Sequence, residues 1–545
     1  MKIDTEARAL SVKTVIWAAV FSAAYFAAAG ALQAETARGV VFDDRNSNGS
    51  RDAGEPGIAG VHVSNGVEVV TTDAQGKYEI GVDDDTIIHV IKPRDWKTRI
   101  DELNLPRFYY IHKPAGSPDA GFKFRGVEPT GPLPESVDFP LTASPDPEEF
   151  TVILVGDPQP YSREQVRFYA NDVIAELVDT EAVFGMSMGD IVGDDLTLFD
   201  AVNAVQGVVG IPWYNVMGNH DINYSAPNDQ YSDETFERVY GPANYAFQYG
   251  PIHFIVLDNV RWIAATKEIK GHYEARLSED QLKFVENYAG RVSRKDRIVV
   301  CVHIPLTHMD NEGTQEFPEL LKILSGHPHT LSFSAHTHRN DHFFSGSEQG
   351  YTPTEATEHH HHNVVTGSGS WWRGIKDTRG IPLTPMADGA PNGYVIATFH
   401  GTQYRLRYKG AHMPEDYQIA VHTQEVVDVA DTAAAQVVAN VFNGSAKNKV
   451  RMRVRGHGDW ITMDRIPQTD PAYEAAYQRD VATADGKRDV LPAPRISGHI
   501  WSAQLPAAIA RGVHILEVES TDMFGQVDRG IRLIDIDEVA KAGEK

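Results

Sequence analysis

The residues of this chain best suited to chemistry each follow a short apolar run. Residues 151–155 lead into Gly156-Asp157-Pro158-Gln159, and residues 183–188 into Gly189-Asp190-Ile191-Val192-Gly193-Asp194. Residues 213–217 lead into Gly218-Asn219-His220-Asp221, residues 298–302 into His303-Ile304-Pro305, and residues 331–335 into His336-Thr337-His338. Short apolar runs of this kind read as buried strands. The loop at a strand's carboxyl end is where open α/β sheets put their chemistry. Carboxylate, amide oxygen and imidazole are the donors that divalent metals take. An ordinary polar turn accounts for any one of these stretches, but chance does not readily produce the ordered series.

The series resembles the calcineurin-like metallophosphoesterases, whose pattern is D-x-H, G-D-x-x, G-N-H-D/E, H and H-x-H, and the likeness covers roughly residues 148–411. Gln159 stands where the family usually has histidine. G-D-P-Q is the form found in a bacterial exported subgroup with accessory β domains on both sides. The resemblance implies a phosphoesterase acting on phosphate mono- or diesters through a dinuclear metal-bound hydroxide. It implies two divalent metals, drawn from manganese, iron and zinc. One would be held by Asp157, Gln159, Asp190 and His338, the other by Asp190, Asn219, His303 and His336, with Asp190 as the bridge. His220 would contact the phosphate or protonate the leaving oxygen, with Asp221 orienting it.

Two metals fit the chemistry: they neutralise charge, lower the pKa of a bound water and hold nucleophile and phosphorus in line. No tyrosine occurs in Asp190-Ile191-Val192-Gly193, where purple acid phosphatases carry their iron-binding tyrosine, which speaks against a purple Fe(III) centre. His336 and His338 would face the same way on an extended strand, so opposed metals require a loop there. An amide oxygen is a weaker, harder donor than imidazole. The metal at Gln159 is therefore expected to be the more easily lost and to favour manganese or magnesium.

Elements must position these residues. From residue 148, strands alternate with helical stretches at 163–178 and 278–289, a pattern that means α/β. Ser278-Glu279-Asp280-Gln281 has the form of a capping box. Further strands are expected at 244–249 and 252–257, and residues 342–411 turn β-rich. The fold class expected is an α/β central metallophosphoesterase, a β-sandwich flanked by helices, over residues 148–411. A prealbumin-like β-sandwich is expected over 35–147 and a C-terminal β-sandwich over 412–545. The Pro- and Gly-rich residues 115–149 read as the linker.

In the first unit, oxygen donors at Asp44, Asn46, Asn48, Asp52 and Glu55, with Gly49 at position six and the Ser50 carbonyl at seven, have the spacing of a calcium loop. The competing reading is an Asx-rich turn. Asp194 and Asp195 read as a helix start. The internal run His359-His360-His361-His362 reads equally as a metal-proximal loop or a polar turn. Trp371 and Trp372, on a glycine-rich loop, read equally as a substrate wall or as packing.

The 545 residues are too many for one core. With 42% hydrophobic and 23% charged residues they are ordinary globular material. The formal net charge of -25 argues against nucleic acid as the main partner. Residues 1–34 read as a signal peptide, with Lys2, Arg8 and Lys13 before an Ala-rich apolar run. The expected location is periplasmic or secreted, with no integral membrane span once the signal is removed; an uncleaved anchor is the alternative. Cys301 is the one cysteine, so no internal disulfide forms. The reading from another class is a calcium-stabilised surface binding protein whose central domain is degenerate, and Gln159 is its main support.

Overall fold

The computed structural model describes residues 35–119, 121–311, 314–355, 358–484 and 489–538. The expected signal peptide lies outside the described residues.

The centre of the molecule is two facing sheets. In the first, Trp213–Asn215, Phe184–Ser187 and Glu149–Val155 run parallel, and Gly393–His400 and Gln403–Gly410 continue it antiparallel. The second has six strands in the order Tyr245–Tyr249, Ile252–Val256, Arg297–Cys301, Thr330–Ser334, His359–Asn363 and Asp341–Ser345. The inner strands are covered on both faces, and Glu149–Val155, Phe184–Ser187, Ile252–Val256 and Arg297–Cys301 are correspondingly mostly apolar. Alternate residues still choose opposite faces. Val152, Leu154, Phe184, Met186, Val299, Cys301 and Phe333 fill the space between the sheets. Ile153, Val155, Ile298 and Val300 turn outward to helices.

Helices lie at both expected stretches, the first ending at residue 172 rather than 178, and at further places between strands. Arg163–Asp172 and Phe199–Gly207 supply Val166, Tyr169, Phe199 and Val202, while Glu279–Ala289 and Glu316–Leu324 supply Leu282, Phe284, Val285 and Leu320. The capping box forms: Ser278 Oγ accepts from Gln281 N, and Gln281 Oε1 accepts from Ser278 N at 2.7 Å.

Two β-rich units flank this core. The first carries a five-stranded sheet built around Glu35–Asp43 and a four-stranded sheet containing Thr86–Ile91. Its Val41, Val63, Ile80 and Val90 belong to the same apolar cluster as the space between the central sheets. The expected linker is partly strand: Phe139–Ala143 pairs in parallel with residues 41–43 of Glu35–Asp43. Its alternating apolar residues override the prolines around it. At the same junction Lys113 Nζ sits buried among Asp85, Glu234 and Glu237 at 2.6, 2.8 and 2.7 Å, so an ammonium already fills that acidic group.

The second unit is a sandwich of four and five strands with its own core, including Val437, Met452, Trp501 and Ile534. Its basic strand Lys449–Val454 is paired rather than free, because Arg451 and Arg453 meet Glu519 and Glu517 across the sheet. The helix Pro471–Ala482, capped by Asp470, was not foreseen there. Among the described residues no helix is long and apolar enough to cross a membrane.

Candidate metal centre

Each expected ligand emerges where a central strand ends. Asp157 and Gln159 follow Glu149–Val155, Asp190 follows Phe184–Ser187, and Asn219 follows Trp213–Asn215. His303 follows Arg297–Cys301, and His336 and His338 follow Thr330–Ser334. The two sheets therefore bring ligands from opposite sides to one end of the sandwich.

One half of the centre is compact. The ligand atoms of Asp190, His303 and His336 lie within 4.8 Å of one another. His303 Nε2 stands 3.2 Å from Asn219 Oδ1, 3.3 Å from Asp190 Oδ1 and 3.2 Å from His336 Nδ1. In the other half, His338 Nε2 is 3.5 Å from Asp157 Oδ1, and Gln159 Nε2 donates to Asp190 Oδ2 at 3.2 Å.

Two observations say that this donor set fits metal ions. Asp157 Oδ1 and Gln159 Oε1 are buried and have no hydrogen-bond partner, and buried polar atoms are rarely left so. Burial, with Asp190 alongside, also pushes Asp157 up to about 8. Two carboxylates in a dry site call for cations. Two of the imidazoles are held neutral: burial pushes His336 down to about 3, with His303 adding to it, and His338 down to about 4. Burial would lower His303 as well, but the carboxylate of Asp190 raises it to about 9. The outer nitrogens of His303 and His338 are fixed in the way metal-binding histidines usually are. His303 Nδ1 donates to Met188 O at 2.9 Å, and His338 Nδ1 faces Gly369 O.

The backbone is bent to make this arrangement. Asp157, Gln159, Asp190, Asp194, His336 and His338 all have positive φ, from 38° to 72°. Such conformations cost roughly 1–3 kcal/mol each and cluster at functional sites. They also answer the geometry of His336-Thr337-His338: left-handed turns past the strand end let residues two apart face different ways. Gly218 is needed for close approach, since a Cβ there would lie 2.1 Å from Asp190 N.

His220 sits over Asp190, its N–H donating to Asp190 Oδ1 at 2.9 Å and its Nε2 4.0 Å from Asp190 Oδ2. The expected partner of its ring is corrected. Asp221 does not orient the imidazole; its carboxylate accepts from the N–H groups of Gly218, Ile191 and Val192 and ties two ligand loops together. Asp194 takes the ring, with Oδ1 2.7 Å from His220 Nδ1. Asp195 alone is the helix start, capping Thr197 N. Burial would lower His220, but Asp190 and Asp194 raise it to about 9. Asp194, expected as part of a helix start, is the functional residue missed; its place on the same loop as Asp190 is the signal for it in the sequence.

The two tryptophans divide the readings between them. Trp371 is half-buried, its ring 4.0 Å from that of His338. Trp372 is core: it is 3% exposed, packs on Phe168 and donates Nε1–H to Pro158 O at 2.9 Å. His359-His360-His361-His362 is neither loop nor turn but a buried strand inside the second sheet. The loop of residues 44–55 closes on itself through Asx-type bonds. Asp44 accepts from Asn48 N and Gly49 N, and Asp52 Oδ2 accepts from Asn46 and Asn48 amides. Among the described residues its carboxylates do not form a group of the compactness seen at Asp190; Ser50 is exposed.

Comparison with known proteins gives three consecutive family matches. They are the N terminal of calcineurin-like phosphoesterase over residues 45–127, calcineurin-like phosphoesterase over 150–340, and the C terminal of calcineurin-like phosphoesterase over 361–527. No curated protein matches. A solved purple acid phosphatase, PPD1 from yellow lupin (Lupinus luteus) seeds, aligns at 14% identity and a TM-score of 0.35. The alignment covers 64% of this chain and 66% of that one, just under two thirds of its length.

Proposed function

Because the chain belongs to the calcineurin-like phosphoesterases, with the family's N- and C-terminal parts on either side, we propose that it is an exported hydrolase of phosphate mono- or diesters using two divalent metals. The observation that carries this reading is the meeting of Asp190, His303 and His336 beside the unpartnered oxygens of Asp157 and Gln159. Asp157, Gln159, Asp190 and His338 would hold one metal, and Asp190, Asn219, His303 and His336 the other. When bound, the pair supplies charge neutralisation and a hydroxide nucleophile from water.

The chain's own residues do the rest. Asp194 fixes the His220 ring through Nδ1, which leaves Nε2 to face the reacting group. From there Nε2–H donates to the phosphate or hands its proton to the leaving oxygen. Asp221, by pinning three backbone N–H groups, keeps His220 over Asp190. The test is hydrolysis of p-nitrophenyl phosphate, its bis ester and phospholipid head groups with manganese, zinc or iron. His220→Ala should retain metal and lose roughly a hundredfold or more in turnover. Unchanged turnover on every active substrate would show the role to be wrong. No hydrolysis of any ester by metal-loaded protein would favour the binding-protein reading.

Calcium is the second reading, for residues 44–55, and export is part of the first through residues 1–34. The support for calcium is the oxygen spacing together with Gly49 at φ 79° at the sharp turn. A calcium-selective chelator should lower the melting temperature of the N-terminal unit and leave the metal centre competent. Equal melting with and without calcium counts against it.

A further inference from the structure

The metal centre is buried, but the rim around it is aromatic. Tyr161 stands edge-on to His220 at 6.0 Å between ring centroids, and Trp371 lies against His338 at 4.0 Å and 30°. Tyr273 meets His336 edge-on at 5.9 Å, and Tyr224 is tied to the ligand loop through its hydroxyl, which donates to Asn219 O at 2.7 Å. Tyr161 and Tyr224 are each 39% exposed, in a molecule whose other large rings are mostly core.

The side formed by Tyr161, Trp371 and Arg373 is the most deliberately built. Trp371 and Trp372 are consecutive bulky residues, both with φ near the left-handed value, 58° and 56°. A bulky residue there is a true outlier. Burying two tryptophans does not need it, since Trp372 alone supplies the packing and the hydrogen bond to Pro158 O. The bent backbone leaves Trp371 half-buried, against a ligand histidine on the rim of the centre. Tyr161 lies flat across Gly193, where a Cβ would meet its ring at 2.6 Å, so the glycine makes room for the ring. The Arg373 guanidinium lies 5.5 Å from the Trp371 ring centroid.

We propose that Trp371 and Tyr161, with Arg373, form a stacking subsite that selects phosphate esters whose organic group presents a flat ring face. This rests on the phosphoesterase reading of the same centre. Aromatic rings at a site's rim gain by offset stacking on another ring, and a guanidinium beside them attracts the ester's negative charge. Simple alkyl esters find no such partner and bind through the phosphate alone.

The test uses ligands that do not react, so leaving-group chemistry cannot interfere. Dissociation constants for phenylphosphonate and methylphosphonate are measured by calorimetry on manganese-loaded protein, with metal content assayed in parallel. Wild type should prefer the phenyl compound by about tenfold. Trp371→Ala should collapse that ratio, Tyr161→Ala should reduce it, and Trp371→Phe should keep most of it. The non-hydrolysable phosphonate analogues of adenosine monophosphate and glucose 6-phosphate tell a nucleobase from a sugar face by which loses more affinity in Trp371→Ala. Binding of both phosphonates with no ring preference in wild type, or with a ratio untouched by Trp371→Ala and Tyr161→Ala, overturns the subsite and leaves the phosphoesterase reading standing. If neither phosphonate binds and no ester is hydrolysed, both fall together.

Discussion

Two regions of this molecule are rich in histidine, and they use it for opposite purposes. His303, His336 and His338 sit past strand ends beside carboxylates, on backbone that is bent to the left-handed side at the last two. His359, His360, His361 and His362 sit in regular strand within the second sheet. Their partners are neutral: Ser332 and Ser334 bond His361, Thr330 and Ser332 bond His359, Tyr404 bonds His360, and Asn340 bonds His362. Burial holds the histidines of this strand uncharged, with His359 pushed down to about 3. Density of histidine therefore does not make a metal site. Excess negative charge, unpartnered oxygens and strained backbone distinguish the one region from the other.

The comparison breaks most visibly at Asp190. Asp190→Asn removes the shared negative charge and should cost more than the roughly 10–100-fold typical of outlying hydrogen-bond partners. Turnover and elemental analysis check it, and two retained metals with normal turnover would sink the bridging role. Gln159→His sharpens the comparison, since it puts an imidazole where an amide oxygen now waits unpartnered. After identical dialysis the variant should keep more of its second metal and shift toward zinc or iron. Equal metal content in the two proteins would count against unequal sites. The smallest effect on chemistry is expected in the histidine strand. His361→Ala leaves a cavity in the sheet and removes one of the two bonds made by each of the Ser332 and Ser334 hydroxyls, at 2.7 and 2.9 Å. It should cost about 2–4 kcal/mol of stability. Thermal melting should show the loss while turnover of the folded fraction holds; a fall in metal content would mean the two regions are coupled.

Particular residues show how far the sequence reached. Asp157, Gln159, Asp190, Asn219, His303, His336 and His338 were legible because each follows an apolar run, and the structure brings them to one end of the sandwich. The partner of His220 was misread because Asp221 is adjacent in sequence. Its carboxylate is fully buried under three N–H donors, and the ring turns instead to Asp194 across the loop. The four histidines were read as a loop since polar runs usually stay in solvent. Here hydroxyls on the neighbouring strand satisfy them, and a pairing between strands cannot be seen in one segment alone.

By itself the sequence determined the alternation of strands and helices and the order of the strand-end ligands, because burial and period are local properties of a chain. Only the tertiary structure decided which carboxylate orients His220, which tryptophan faces the centre and which histidines are structural. Those assignments depend on distances between segments far apart in sequence, where a few ångströms separate a ligand from a core residue.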